Sequence, residues 1–498
     1  MLLKLLLRGL LTVQRISTGI SGLDEILYGG LIPKRAYLVR GGPGTGKTTL
    51  GLHFLAAGQQ KNKETLFISL VEEEAKIKED AQIRDFELEG INFLDLSPSS
   101  EFVTEREDYD IFPSSEVEQE PLLDAIIERI KELQPDLIFI DSLTQLRHLA
   151  PDSFQFRKQI LSLVKFSIHQ GATMLLCSEA SSSYPDDDLQ FISDGIINLE
   201  IRHDKRFIKI NKFRGFDFMS GDHSMVLEQE GVKVFPKLKV TGQQRKIERK
   251  TISSGITEID QLLQGGVEKG TTTIISGPSG VGKTTLGLQF IKEAAKRGTH
   301  SIIYTFEEGT QTILTRCKGI NMPLDDLIEQ GLLTIKEINP LEYTPEQFAQ
   351  LIQTGVKEDE IEFVMIDSIS GYRHSFGSLS NHKERMIRNL HSLSRYLTNI
   401  GVTVLLVNEM QNITGDFRIT DDKVSYMADN ILFLRYLEMQ GRMKKAIGIL
   451  KKRLSDFERT LREFEITNSG IQVGQPLSNL RGVLTGKPEF ITTSNQEE

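Results

Sequence analysis

Two stretches of this chain are built to grip a phosphate chain: Gly41–Thr48, reading GGPGTGKT, and Gly277–Thr284, reading GPSGVGKT. Both fit G-x-x-x-x-G-K-T. Glycines at this spacing let a loop wrap so that backbone N–H groups point at phosphate oxygens, and a following helix adds its positive end. The residues expected around the nucleotide are Gly41, Gly42, Gly44, Thr45, Gly46, Lys47, Thr48 and Thr49 in one stretch. In the other they are Gly277, Ser279, Gly280, Val281, Gly282, Lys283, Thr284 and Thr285. Lys47 and Lys283 would reach the β- and γ-phosphates of ATP, and Thr48 and Thr284 would hold Mg2+. Asp141 and Asp367 each end an apolar run and precede a serine, in FIDSLT and MIDSIS. An acid so placed meets Mg2+ through water.

Hydrolysis also needs a carboxylate that orients or deprotonates the attacking group. The second stretch offers Glu307 and Glu308 in YTFEEG. At the corresponding place the first has Val71 and Glu72 in FISLVEEE, unless the strand end slips by one residue and presents Glu72 and Glu73. The two copies are therefore not expected to be equivalent. Late in each copy comes K-x-R: Lys212 and Arg214 in IKINKFRG, Lys451 and Arg453 in IGILKKRL. At the far edge of a sheet such cations suit a neighbour's γ-phosphate rather than their own, as arginine fingers do, which implies a ring of subunits.

Positioning these residues takes a repeated scaffold. Asp24 matches Asp260, Gly30 matches Gly266 and Lys47 matches Lys283 at one offset of 236 residues, which is a domain length. In each copy a short β-rich run, RAYLVRG or TTTIISG, leads into the loop and then into a helix with apolar spacing. The runs DLIFID, FVMID, ATMLLCSE and VTVLLVNE read as strands buried on both faces. The expected class is α/β: two tandem P-loop domains, each a mostly parallel sheet covered by helices on both faces. Boundaries fall at an N-terminal extension 1–15, a first domain 16–240, a linker 241–250, a second domain 251–480 and a tail 481–498. The acidic stretch from Ser97 to Pro121 reads as a surface loop.

Composition narrows the class. The 498 residues carry 39% apolar and 26% charged side chains and a net charge of −10, which weighs against a dedicated nucleic-acid binder. Two cysteines, Cys177 and Cys317, make neither a zinc site nor a disulfide framework, and fit a reducing cytoplasm. The opening MLLKLLLRGLLTV is broken by Lys4 and Arg8 and is too short to span a membrane.

With STGISGLDEILYGG, both phosphate loops, FEE, IDS, K-x-R and the late REFEITNSG in order from Ile16 to Ile491, the chain resembles the KaiC family of two-domain RecA-type ATPases. The resemblance implies a homohexamer of two tiers with ATP bound between subunits in both. It implies slow hydrolysis and, as in clock members, a second ring that phosphorylates itself. Those members carry adjacent Ser and Thr acceptors in a stretch similar to ITDDKVSYMADNI. Ser425 matches the first, with Glu307 as its general base, while Tyr426 stands in place of the second. Leu454 replaces the Gly expected after Arg453, which Gly215 keeps in the first copy. Relatives continue well past ITTSNQEE in an extension that docks KaiA, so no KaiA partner is expected, and a KaiB-like partner stays open. Two other readings stay open beside this one: a nucleotide-gated scaffold with a weakly hydrolysing first copy, and a RadA-like DNA repair ATPase.

Overall fold

The computed structural model describes residues 14–84, 86–100, 119–179, 185–239, 250–375, 382–410, 424–439, 441–478, 480–481 and 489–490. The chain divides into two compact units, Met1–Lys237 and Leu238–Glu498. Most of the N-terminal extension, linker residues 241–249 and nearly all of the tail lie outside the described residues.

Among the described residues each unit has one nine-stranded main sheet, and the two sheets have the same order. The first runs β3-β2-β4-β5-β1-β6-β7-β8-β9. Its strands are β1 Ala36–Gly41, β2 Thr65–Ser69, β3 Asn92–Asp95, β4 Leu137–Asp141, β5 Thr173–Glu179, β6 Gly195–Arg202, β7 Lys205–Phe213, β8 His223–Glu228 and β9 Gly231–Phe235. The second unit begins with a two-stranded pair, β10 Thr251–Ile252 and β11 Val267–Glu268. Its main sheet runs β14-β13-β15-β16-β12-β17-β18-β19-β20. These strands are β12 Thr272–Gly277, β13 Ser301–Thr305, β14 Leu333–Glu337, β15 Phe363–Asp367, β16 Thr403–Glu409, β17 Asn430–Met439, β18 Arg442–Lys452, β19 Arg462–Thr467 and β20 Gly470–Pro476.

From β3 to β6, and from β14 to β17, neighbours are parallel; the rest is an antiparallel meander. Parallel neighbours need crossovers, and the helices that make them cover both faces. That explains why β2, β12, β13 and β15 are buried along their whole length and do not alternate apolar with exposed polar residues. Burying one such Ile or Phe stabilises the unit by about 1.5–3 kcal/mol. Helix and sheet approach closely at Gly51, where an added Cβ would come 2.2 Å from the Phe139 ring.

The start of each unit is pinned identically. Asp24 accepts from Ser17 Oγ at 2.6 Å and from Thr18 N at 2.8 Å; Asp260 accepts from Ser253 Oγ and from Ser254 N at 2.8 Å. The acidic stretch expected as a loop differs at both ends. Ser97 is buried, bonded to Asp95, and Gln119–Pro121 already lie on the helix Gln119–Leu133; residues 101–118 lie outside the described ones.

Candidate functional site

In both units the phosphate loop leaves the C-terminal end of a central strand, β1 or β12, and enters a helix, Lys47–Gln59 or Lys283–Lys296. Gly46 and Gly282 cap those helices with φ of 95° and 114°, a left-handed conformation that a side chain would strain. The lysines bond the loop itself: Lys47 Nζ donates to the Gly41 and Gly42 carbonyls, each at 3.0 Å, and Lys283 Nζ to that of Pro278 at 2.8 Å. Lys283 is buried, and this lowers its pKa against the pull of Glu409, Asp367 and Glu307. A cavity of about 300 Å³ opens on the first loop, lined among others by Lys47, Thr48, Leu52, Glu72, Asp80 and Arg84.

Parallel pairing carries β4 and β15 to the same edge. Thr48 Oγ1 donates to Asp141 Oδ2 at 2.5 Å, and Thr284 bonds Asp367 in the same way. Burial raises the Asp367 carboxyl to about 6, and the nearby Glu308 and Glu307 push the same way against the Thr284 bond. Among the described residues no group of three or more His, Cys, Asp or Glu could hold a metal alone. A Thr–Asp pair beside a triphosphate still fits Mg2+, which takes few protein ligands and shares substrate oxygens.

The register after β2 and β13 fixes the acids. Leu70 N bonds the Asp141 carbonyl as Phe306 N bonds that of Asp367, and Leu96 N bonds Ser69 O as Ile338 N bonds Thr305 O. Ser69 and Thr305 hydroxyls donate to the carbonyls of Glu72 and Glu308. So the strand end does not slip: Val71, 52% exposed, occupies the place of exposed Glu307, and Glu72 that of Glu308. Glu73 matches Gly309, and both are the residue before the next helix. In the second unit Ser368 Oγ donates to Glu307 at 2.5 Å while Arg316 pairs with Glu308 at 2.5 Å. In the first, Asp80 stands at the Arg316 position, and Glu72 pairs with Lys76 at 3.6 Å. The sequence reading did not single out Ser368 or Arg316; their positions relative to the acids were the available signal.

Both K-x-R pairs sit at the opposite end of the sheet from their own phosphate loops. Arg214 N bonds the Asp194 carbonyl, and Asp194 N that of Ala36, the first residue of β1; Arg453, Asp429 and Thr272 repeat this. Five strand residues, or roughly 16 Å, then separate each arginine from Gly41 or Gly277. Each arginine reaches a carboxylate, Asp194 or Asp429, at 3.4 Å. Lys212 Nζ donates to the Gln190 carbonyl at 2.8 Å and Lys451 Nζ to that of Ser425 at 2.9 Å. Partial burial lowers both lysine pKa values, and the adjacent arginine adds to it. The shared bond makes Gln190 the counterpart of Ser425, and hence exposed Phe191 the counterpart of exposed Tyr426. Arg453 Nη2 also donates to the Tyr426 carbonyl at 2.9 Å, and the Tyr426 ring lies 5.4 Å from that of His391. Residues 419–423 of the stretch around Ser425 lie outside the described residues.

Cys177 and Cys317 are free and buried, and burial pushes the Cys317 thiol up to about 11. No described helix is long and apolar enough to cross a membrane.

The repeated strand–loop–helix with its strand-end acids defines a tandem RecA-like P-loop ATPase. Residues 16–239 and 252–478 each match the family described as "ATPase: KaiC", so the chain belongs to the KaiC ATPase family. It is similar to the circadian clock oscillator protein KaiC of Synechococcus elongatus, 28% identical over 98% of this chain and 94% of that protein. It is 27% identical to the protein of the same name from Prochlorococcus marinus (strain MIT 9313), over 96% of each chain. The circadian clock protein KaiC3 of a Synechocystis strain is 26% identical over 97% of this chain and 96% of its own.

Proposed function

We propose that the chain assembles into a homohexamer whose domains, 16–240 and 251–480, each close a ring with ATP–Mg2+ bound between subunits. The observation that carries this reading is the separation of each K-x-R pair from its own phosphate loop by the length of a strand. A cation there cannot turn back to its own γ-phosphate but can face that of the next copy. In each pocket one subunit supplies the loop, Lys47 or Lys283, and Thr48 with Asp141 or Thr284 with Asp367. Mg2+, held by those pairs, would neutralise charge on the β- and γ-phosphates. The neighbour supplies Lys212 and Arg214, or Lys451 and Arg453.

In the second ring Glu307 is the base. Arg316 occupies Glu308, so the carboxylate beside the Ser368 hydroxyl is the one left to take a proton. With water as nucleophile the products are ADP and phosphate. With Ser425 of the neighbouring copy, its Oγ attacks the γ-phosphorus, the bridging β–γ P–O bond breaks, ADP leaves and the hydroxyl proton passes to Glu307. Ser425 lies beside Lys451, hence next to the cations that face the neighbour. Tyr426 stands where the first unit has Phe191, which supports an aromatic kept for its ring, with Ser425 as the acceptor.

Val71 favours the scaffold reading for the first ring alone. Binding there glues the assembly, and turnover resides in the second. The protein is then a KaiC-like ATPase and serine autokinase of the cytoplasm, with a KaiB-like protein as a candidate partner.

Mixing variants tests it. K283A and R453A should each lose second-ring turnover, and a one-to-one mixture assembled with Mg-ATP should regain about a quarter of it, because random neighbours then make intact pockets. No recovery in an assembled mixture, or a parent chain that sediments as a monomer with Mg-ATP, overturns the reading.

A further inference from the structure

The two K-x-R loops are held by different chemistry. In the first unit the middle residue, Phe213, is buried; its ring lies 5.8 Å from Tyr37 and 6.2 Å from Phe216. The guanidinium groups of Arg15 and Arg35 lie over the Phe216 ring at 4.7 and 5.5 Å, and Arg35 Nη1 donates to the Arg214 carbonyl at 2.5 Å. The chain then turns at Gly215 with φ of 80°.

None of these parts survives in the second unit. Thr271 stands at the Arg35 position, Ile32 is replaced by Glu268, Phe213 by Lys452, and Gly215 by Leu454, which is not left-handed. Instead the middle residue is a cation. The Lys452 side chain is wholly buried, with Nζ 3.2 Å from Glu268 Oε1 and donating to the Leu263 carbonyl. Ser455 Oγ donates to the same Glu268 Oε1 at 2.8 Å. One buried carboxylate thus ties down the residue before Arg453 and the second residue after it. Strand alternation turns Lys451 and Arg453 to the other side from Lys452. Holding residues 452 and 455 from inside therefore fixes the arginine without touching its head.

We propose that Glu268 is a positioning residue for the second-ring arginine finger, acting through Lys452 and Ser455 as the replacement for the glycine turn and arginine grip of the first unit. A buried pair does not by itself argue for stability, since apolar residues of similar volume often do as well. The Ser455 tether is what an apolar pair cannot reproduce. The inference rests on the finger in the neighbouring pocket proposed above.

The test compares E268Q, S455A and the double variant E268I/K452F, which copies the first unit's own Ile32 and Phe213. Second-ring turnover is the part that K283A abolishes. Misplacing a catalytic group by about 1 Å can cost about 100-fold. We expect E268Q and S455A to lower kcat about 10- to 100-fold, with KM for ATP changed less than about threefold. The double variant should keep the parental melting temperature yet keep the low kcat, and adding S455A to it should cost nothing more. Parental kcat in an assembled S455A ring, or in an assembled E268I/K452F ring, overturns the positioning role and leaves the shared pocket standing. A parent chain that stays monomeric with Mg-ATP overturns both.

Discussion

Set side by side, the two phosphate loops differ little and their surroundings differ a great deal. Both loops have the left-handed glycine cap and the Thr–Asp pair at the strand ends. Around them, Val71 corresponds to Glu307, Asp80 to Arg316, His53 to Gln289, and Phe191 to Tyr426. The grip on phosphate depends on backbone N–H groups and a fixed turn, which leave little freedom. The groups proposed to act on the γ-phosphate are single side chains on strand ends and short helices. They can change while the sheet stays intact, so the loop is kept twice while the side chains around it are free to diverge.

The sharpest way to break this comparison is to remove the finger. Arg453→Ala should lower second-ring phosphate release about 10³-fold or more, while Arg214→Ala changes total turnover little. Glu307→Gln should cost about 10²–10⁴-fold and abolish the mass gain of one phosphate at Ser425, read by intact-mass analysis. A smaller effect in the opposite direction sharpens it further. Val71→Glu in a K283A background should raise first-ring turnover about tenfold, limited by the missing Arg316 partner. Unchanged turnover in that variant would mean that the lost acid is not what separates the rings.

A gentler difference lies in acid stability. Burial holds His53 at about 4, and its neutral Nε2 accepts from Val232 N at 2.9 Å. The unfolded chain protonates near the ordinary histidine value, so this contribution is complete above about pH 6.5 and is lost as pH falls toward 4. The first unit should lose about 2–3 kcal/mol over that window. His53→Gln, the second unit's own residue, should flatten the urea midpoint against pH. The smallest effect is Tyr426→Phe, for which phosphate incorporation should match the parent; loss of incorporation would move the acceptor to the phenol.

Continuous motifs made much of this readable in the sequence. The loops, the apolar strands and the acids that end them are local, and the nine-stranded sheets follow from repeated strand–helix alternation. The register after β2 was readable too, because Val71 and Glu307 precede any change of length between the copies. Downstream the offset wanders: Asp141 with Asp367, Gln190 with Ser425 and Lys212 with Lys451 are each spaced differently. Surface connections change length at small entropic cost, so a fixed shift cannot find such partners. Gln190 and Ser425 were matched only by the lysine that bonds each carbonyl. Likewise Lys452 reads as one more exposed cation in KKR, and only the fold puts Glu268 beneath it.

In the proposed ring, loop and finger at opposite ends of one strand would make every subunit polar, with a face that receives and a face that gives. Such contacts would add head to tail, so a broken ring would leave one idle finger at one end and one unfinished pocket at the other. Sub-stoichiometric R453A should therefore silence second-ring pockets one by one, in proportion to its share, without stopping growth of the assembly. A loss of turnover much steeper than that share would show that neighbouring pockets act in concert.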